Sequence, residues 1–246
     1  MIAVPFKYEA HFFGDMADIK PSADTIPPLL DAFRVPGFLP NTFNELELRQ
    51  PDAQALTRLR LSSPDAEWII DFDTPRITIQ KNSVKPLGAN LGKPEDFARD
   101  AVDFLRRILH LFPRKGTRLS LVTDGLLSEM ADEVLRRAYS RVLVPFGFYQ
   151  NNPPIAWNSR SLARVSVDIN GISEQLNVIT QVNRTQGTFM KQGGLFFDRL
   201  QILFDINTHQ NKREPRFDIS AAEEYFGNAL KIREQILRDL KEQLNG

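Results

Sequence analysis

The C-terminal part of this chain constrains its fold more than any other stretch. The apolar run LFFDRLQILFDIN predicts a β-strand over residues 195–206. Alternate side chains of a strand point to opposite faces, so Phe197 and Leu203 lie on one face while Ile202 and Phe204 lie on the other. Because both faces are largely apolar, we expect this strand to lie in the interior of a sheet that other elements cover.

A long amphipathic helix follows this strand and can supply the cover. The sequence ISAAEEYFGNALKIREQILRDLKEQL places apolar residues three and four positions apart, which predicts a helix over residues 219–244 with one broad apolar face. Asp218 or Ser220 suits the N-cap, and Glu223 and Glu224 in the first turn interact favourably with the helix dipole. We therefore expect the apolar face of this helix to pack against the sheet.

Composition and charge argue against several broad functional classes. The chain has 246 residues, of which 31 are basic and 31 acidic, so its formal net charge is zero. Proteins that bind nucleic acids or anionic membranes usually carry a basic excess. The absence of cysteine excludes disulfides, thiolate zinc sites and a cysteine nucleophile. The sequence shows no signal peptide and no apolar stretch of membrane-spanning length, so we expect a cytoplasmic protein without membrane association.

The predicted elements follow an order that occurs twice. A strand, a helix, a loop, three strands and a long helix describe residues 1–115, and the same description fits residues 116–246. We therefore predict an α+β protein built on antiparallel sheet covered by long helices, with two similar β-α-β-β-β-α halves. The alternative is one continuous antiparallel sheet with helices on one face. The predicted strands are 4–13, 53–62, 67–72, 75–81, 117–127, 162–169, 172–184 and 195–206, the predicted helices are 26–33, 94–112, 129–141 and 219–244, and the predicted loops include RVPGFLPNTF and VLVPFGFYQNNPP.

Three stretches of the chain resemble a known family. They are the N-terminal strand with its proline-rich loop, the stretch WIIDFDTPRITIQKN leading into PEDFARDAVDFLRRIL, and the ending LQILFDINTHQNKREPRFDISAAEEYFGNALKIREQIL. Together they resemble a conserved hypothetical family of about this length that is sporadically distributed in bacteria and archaea. That family has no established function, so the resemblance implies no functional residue. It implies a prokaryotic chain, and families with so patchy a distribution often travel with mobile or defence gene modules.

Three predicted strands end in similar acidic sequences. IIDFDTP contains Asp71 and Asp73, VSVDING contains Asp168, and ILFDINT contains Asp205. Carboxylate and amide oxygens two residues apart project from the same face of a strand and suit a divalent cation. If these strand ends met, they could form the metal site of a phosphoesterase or nuclease. The simpler interpretation, which we favour, is that they accept hydrogen bonds from turns and limit edge pairing.

No other catalytic motif is found in the sequence. The three histidines, His11, His110 and His209, lack the spacing of zinc ligands. The sequence also lacks a G-x-S-x-G turn and a glycine-rich phosphate loop between a strand and a helix. Catalysis through these residue types is therefore not favoured.

Two segments instead predict contact with a partner. The stretch QGTFMKQGG at 186–194 joins two predicted strands, so we expect an exposed hairpin loop with Phe189, Met190 and Lys191 at its tip. Exposed apolar side chains on a loop are typical of a contact surface, and the alternative is that they pack under the sheet. The second segment is the basic link before the last helix, with Lys212, Arg213 and Arg216.

The sequence therefore favours a non-enzymatic binding or regulatory subunit of a prokaryotic protein assembly, without a cofactor. Its partner would be another protein or a second copy of the chain. The alternative is a metal-dependent phosphoesterase or nuclease that uses the acidic strand ends. Binding of nucleic acid through the basic link is a third and less favoured hypothesis, because the net charge is zero.

Overall fold

A computed structural model describes residues 2–35, 37–46, 55–189 and 194–245, which form a nine-stranded antiparallel sheet with helices packed on it. The predicted α+β class with an antiparallel sheet is confirmed. The strands are β1 (Ile2–Phe13), β2 (Leu39–Leu46), β3 (Ala55–Ser62), β4 (Trp68–Asp73), β5 (Arg76–Asn82), β6 (Arg118–Leu127), β7 (Trp157–Ile169), β8 (Ile172–Phe189) and β9 (Leu195–Thr208). The helices are α1 (Ile26–Ala32), α2 (Pro94–Leu111), α3 (Asp132–Val142), α4 (Gly147–Asn151) and α5 (Ile219–Asn245).

The first and second halves of the chain meet in the middle of this sheet. The strand order is β2-β3-β4-β5-β1-β6-β9-β8-β7, so β1 and β6 form the central pair. They run antiparallel, with Tyr8 opposite Thr123 and Ala10 opposite Leu121. The order outward from β1 is β5, β4, β3 and β2, and the order outward from β6 is β9, β8 and β7. Each half therefore adds its strands in the reverse of their chain order.

Helix α2 covers the first half of the sheet. Pro94 opens this helix, where its missing N–H has no helical partner to lose. Phe97 and Phe104 on its apolar face are buried, and their rings lie 5.6 Å and 5.0 Å from the Trp68 ring of β4. Burying such a side chain contributes about 1.5–3 kcal/mol. The apolar stripe predicted for this helix is therefore what attaches it to the sheet.

Helix α5 covers the second half, as the C-terminal sequence predicted. Asp218 Oδ1 accepts a hydrogen bond from the Ala221 N–H at 3.0 Å, so Asp218 caps the helix. Tyr225 is fully buried and its hydroxyl donates to the Ile206 carbonyl of β9. Like the other helices of the described residues, α5 does not combine the length and hydrophobicity of a membrane-spanning segment. Its buried residues include Tyr225, Phe226, Ala229, Leu230, Leu237, Leu240 and Leu244.

Two segments that were predicted to be loops contain regular structure. The second part of RVPGFLPNTF enters β2, an edge strand that pairs with β3, and Pro40 is tolerated there because one side of an edge strand makes no ladder bonds. VLVPFGFYQNNPP contains α4. Strand β7 begins at Trp157 and not at residue 162. The first half is therefore β-α-β-β-β-β-α, with one strand more than predicted, and the second half has an additional short helix.

Candidate interaction surface

The sheet has one face buried under helices and one polar face. In β8, Leu176 and Val178 are buried and belong to the core beneath the helices. Asn177 and Gln181 alternate with them and are partly exposed on the opposite face. There the Asn177 Nδ2 donates to Asn207 Oδ1 of β9 at 3.1 Å. In the described residues, the apolar cores that the helices form with the sheet lie on its other side. We therefore call this polar side of the sheet the open face.

Arginines bind the two aspartates of β4 on the open face. Asp71 accepts hydrogen bonds from Arg60 of β3, at 2.5 Å from Nε and 2.8 Å from Nη2. This hydrogen bonding raises the pKa of Arg60. Asp73 Oδ2 accepts a hydrogen bond from Arg76 Nε at 3.1 Å. Both aspartates thus stabilise pairs within the sheet.

The remaining acidic strand ends lie elsewhere in the sheet. Asp168 accepts a backbone N–H in the β7–β8 turn at 2.8 Å. Asp205 of β9 accepts hydrogen bonds from Ser120 at 3.0 Å and Asn207 at 2.9 Å. Because β4 and β9 are four strand spacings apart, Asp71 and Asp205 are separated by roughly 19 Å. The structure does not bring the acidic ends together, and the described residues contain no group of three or more side chains that could hold a metal ion.

Phe189 was predicted at the tip of an exposed hairpin loop, but it lies in β8. It pairs with Leu195 of β9, and its ring centroid lies 4.5 Å from that of Phe197. This contact partly buries Phe189 against its own hairpin. Met190 and Lys191, the other predicted contact residues of the loop, lie outside the described residues.

The basic link is held mainly by a single carboxylate. Glu174 of β8 is buried and accepts hydrogen bonds from Lys212 Nζ at 3.1 Å and from Arg216 Nε at 2.8 Å. Burial alone would raise the pKa of Glu174, but the hydrogen bonds from Arg216 and Lys212 outweigh it and lower that pKa. The Arg216 guanidinium also lies 4.3 Å from the Phe217 ring centroid. Two of the three predicted contact residues therefore fasten the link to the sheet, whereas Arg213 is exposed.

An exposed apolar surface beside β7 was not predicted from the sequence. Strand β7 is the last strand of the sheet, and no strand of the described residues pairs with its outer edge. Four apolar side chains in the preceding segment are largely exposed: Val144 at 95%, Phe146 at 70%, Phe148 at 67% and Ile155 at 73%. We call these four side chains, together with the outer edge of β7, the β7 surface.

Ring contacts hold this apolar segment against the strand. The Tyr149 ring lies 5.3 Å from both Phe146 and Phe148 and 6.0 Å from Tyr139 of α3. Tyr139 in turn lies 5.9 Å from Trp157, the first residue of β7. The sequence signal was the apolar and aromatic content of VLVPFGFYQNNPPIAW, whose prolines and asparagines led to its prediction as a loop.

Comparisons with known proteins assign nothing to this surface. No protein-family model matches the chain, and neither a curated protein nor a solved structure matches it.

Proposed function

We propose that this chain is a non-enzymatic binding subunit of a protein assembly and that a partner protein docks on the β7 surface by adding a strand to β7. The carrying observation is a 13-residue strand edge, without a partner strand in the described residues, beside four exposed apolar side chains. Such an edge binds an extended segment through backbone hydrogen bonds, and neighbouring apolar contacts supply specificity. Contiguous exposed apolar surface on a protein is typical of a partner-binding site.

The topology of the first half supports strand addition. Strands β3 and β7 occupy equivalent places, because each is the third strand outward from the central strand of its half. The outer edge of β3 pairs with β2 from Leu39 opposite Ser62 to Leu46 opposite Ala55. Strand β7 has no such neighbour among the described residues. The partner's strand would take the place that β2 occupies in the first half.

The charges on β7 favour a protein partner over a nucleic acid. Arg160 and Arg164 project on the open face of β7, but Asp168 projects on the same face. Arg164 Nε also donates to Asn177 Oδ1 of β8 at 3.3 Å. A nucleic-acid site needs a clear excess of unpaired cations. The arginines also limit unspecific pairing of this edge with other chains.

Site-specific photo-crosslinking in the native host tests this proposal. The crosslinking amino acid replaces Phe148 or Leu162, which is 51% exposed in the middle of β7, and in a matched control it replaces Val35, an exposed residue near the opposite end of the sheet. Crosslinks from positions 148 and 162 should map to one extended segment of the same partner, identified by mass spectrometry. Position 35 should give no crosslink to that partner.

A substitution on β7 tests whether the partner contacts the strand as well as the apolar segment before it. Leu162→Lys removes an exposed apolar side chain of β7, and we expect it to weaken crosslinking from position 148. Val35→Lys should leave that crosslink unchanged. Absence of crosslinks from positions 148 and 162 would overturn the proposal. Crosslinks confined to a second copy of this chain would also overturn it, because self-association would then replace the partner.

A further inference from the structure

A cavity of about 800 Å³ lies between the start of α2, strand β1 and helix α5. Its wall includes Tyr8 of β1, Lys93 just before α2, and Arg233, Arg238 and Lys241 of α5. The sequence predicted that the apolar face of α5 covers the sheet, but here cationic side chains of the helix border a space. Its volume is in the range of small-molecule sites, which span roughly 300–1,000 Å³.

Arg233 is the unusual residue of this cavity because its charge is buried. It is 3% exposed, and its guanidinium lies 5.6 Å from the Phe204 ring centroid of β9. Nε donates to Thr123 Oγ1 at 3.0 Å, and Nη1 donates to Glu234. Burial lowers the pKa of Arg233, since removing a cation from water is unfavourable. Glu234 is about half exposed, so solvent screens its interaction with the arginine.

The remaining guanidinium nitrogen is available to a ligand. Hydrogen bonds to other described residues are found for Nε and Nη1 of Arg233, and none is found for Nη2. Lys93, Arg238 and Lys241 are exposed at the rim of the cavity. The wall thus contains four cations and three carboxylates, and one of these carboxylates, Glu234, already binds Arg233. An anion in the cavity would complete the compensation of the buried charge.

We propose that this cavity binds a small organic phosphate, with its phosphate on Arg233 and the rim cations. The free Nη2 of the guanidinium can donate to a phosphate oxygen, and the rim cations can approach a doubly charged group from several sides. Ile2, Pro5 and Leu237 also line the cavity and provide apolar contact for the organic part. This site is separate from the β7 surface and does not depend on the function proposed for it.

Isothermal titration calorimetry with phenyl phosphate tests the site. We expect phenyl phosphate to bind the full chain and to raise its Tm. Benzoate, which is a planar singly charged anion, should bind more weakly, and phenol should not bind. The double variant Arg238→Gln/Lys241→Gln should weaken phenyl phosphate binding about tenfold, because it removes two of the rim cations.

Two further variants control this experiment. Lys231→Gln removes an exposed cation of the same helix outside this cavity and should leave the dissociation constant unchanged. Arg233→Lys keeps the charge but removes the free Nη2 donor, so it should weaken binding at least as much as the rim variant. If Arg233→Lys does not fold, the rim variant alone decides. Absence of phenyl phosphate binding at millimolar concentration, equal binding of benzoate, or binding unaffected by the rim variant would each overturn the proposal.

Discussion

Replacing Glu9 with glutamine tests the electrostatics at the centre of the open face. Glu9 lies on β1, with Oε1 2.9 Å from Lys7 Nζ and Oε2 3.7 Å from His11 Nε2. Burial alone would raise the pKa of Glu9, but the interactions with His11 and Lys7 outweigh it and lower the pKa from 4.5 to about 2. The folded protein therefore favours the ionised carboxylate.

The size and pH range of the effect follow from this shift. A decrease from 4.5 to about 2 corresponds to an upper limit of about 3 kcal/mol of stability. Because the folded pKa is below the unfolded one, this stability is fully present above the unfolded value and is lost as the pH falls through the folded value. Lys7 is 40% exposed, so screening reduces the effect, and we expect Glu9→Gln to destabilise by about 1–3 kcal/mol at about pH 5.

Urea denaturation of both proteins from about pH 5 down to about pH 2 measures this difference. The difference in the free energy of unfolding should be largest near the upper end of this range and shrink towards zero as the pH falls to about 2. Glu242→Gln, at an exposed position of α5, controls for the loss of one carboxylate. A difference that does not change with pH would refute the reasoning, since it would show that glutamine disturbs packing and not charge.

Two further predictions concern the backbone and the core. Gly88 and Gly92 both have a positive φ, of 70° and 66°, but a Cβ at Gly88 would lie 2.1 Å from the Pro5 carbonyl oxygen, whereas one at Gly92 would meet nothing within 4 Å. Thermal denaturation should therefore show a much larger loss of Tm for Gly88→Ala than for Gly92→Ala. The positive φ alone makes Gly92→Ala cost about 1–2 kcal/mol of stability. Equal losses of Tm would contradict the predicted clash at Gly88. Tyr225→Phe removes a buried hydrogen bond to the Ile206 carbonyl and should lower the free energy of unfolding by about 0.5–1.5 kcal/mol; an unchanged urea midpoint would contradict it.

The long elements could be predicted because their signals are local. The stripe of α2 and the two-faced pattern of β9 are visible within one segment, and both elements occur within a few residues of their predicted bounds. Strand β2 and helix α4 were missed, because their prolines and glycines resemble those of loops and their periodic runs are short. The proposed duplication of the two halves stays a prediction.

The candidate sites could be predicted only in part, because they depend on contacts between distant segments. Similar sequences around Asp71 and Asp205 did not reveal that these residues lie on strands four spacings apart. The burial of Arg233 could have been predicted from the sequence. This residue follows Ala229 by four residues and precedes Leu237 by four, so it lies on the apolar stripe of α5, where an arginine must be buried. An ionisable residue on such a stripe is a better indicator of a site than the basic clusters on exposed segments.

The two outer edges of the sheet differ, and the difference favours a docking role for the β7 edge over a role that only terminates the sheet. An edge that only terminates a sheet is expected to be short or to contain proline, as β2 does with its 8 residues and Pro40. Strand β7 has 13 residues and no proline, and exposed Phe146 and Phe148 precede it. Arg160 and Arg164 reduce unspecific pairing, but charges on the open face do not block the backbone groups of the edge. A long strand edge with nearby charges and neighbouring aromatic side chains is therefore better suited to pairing with one specific partner strand than to remaining unpaired.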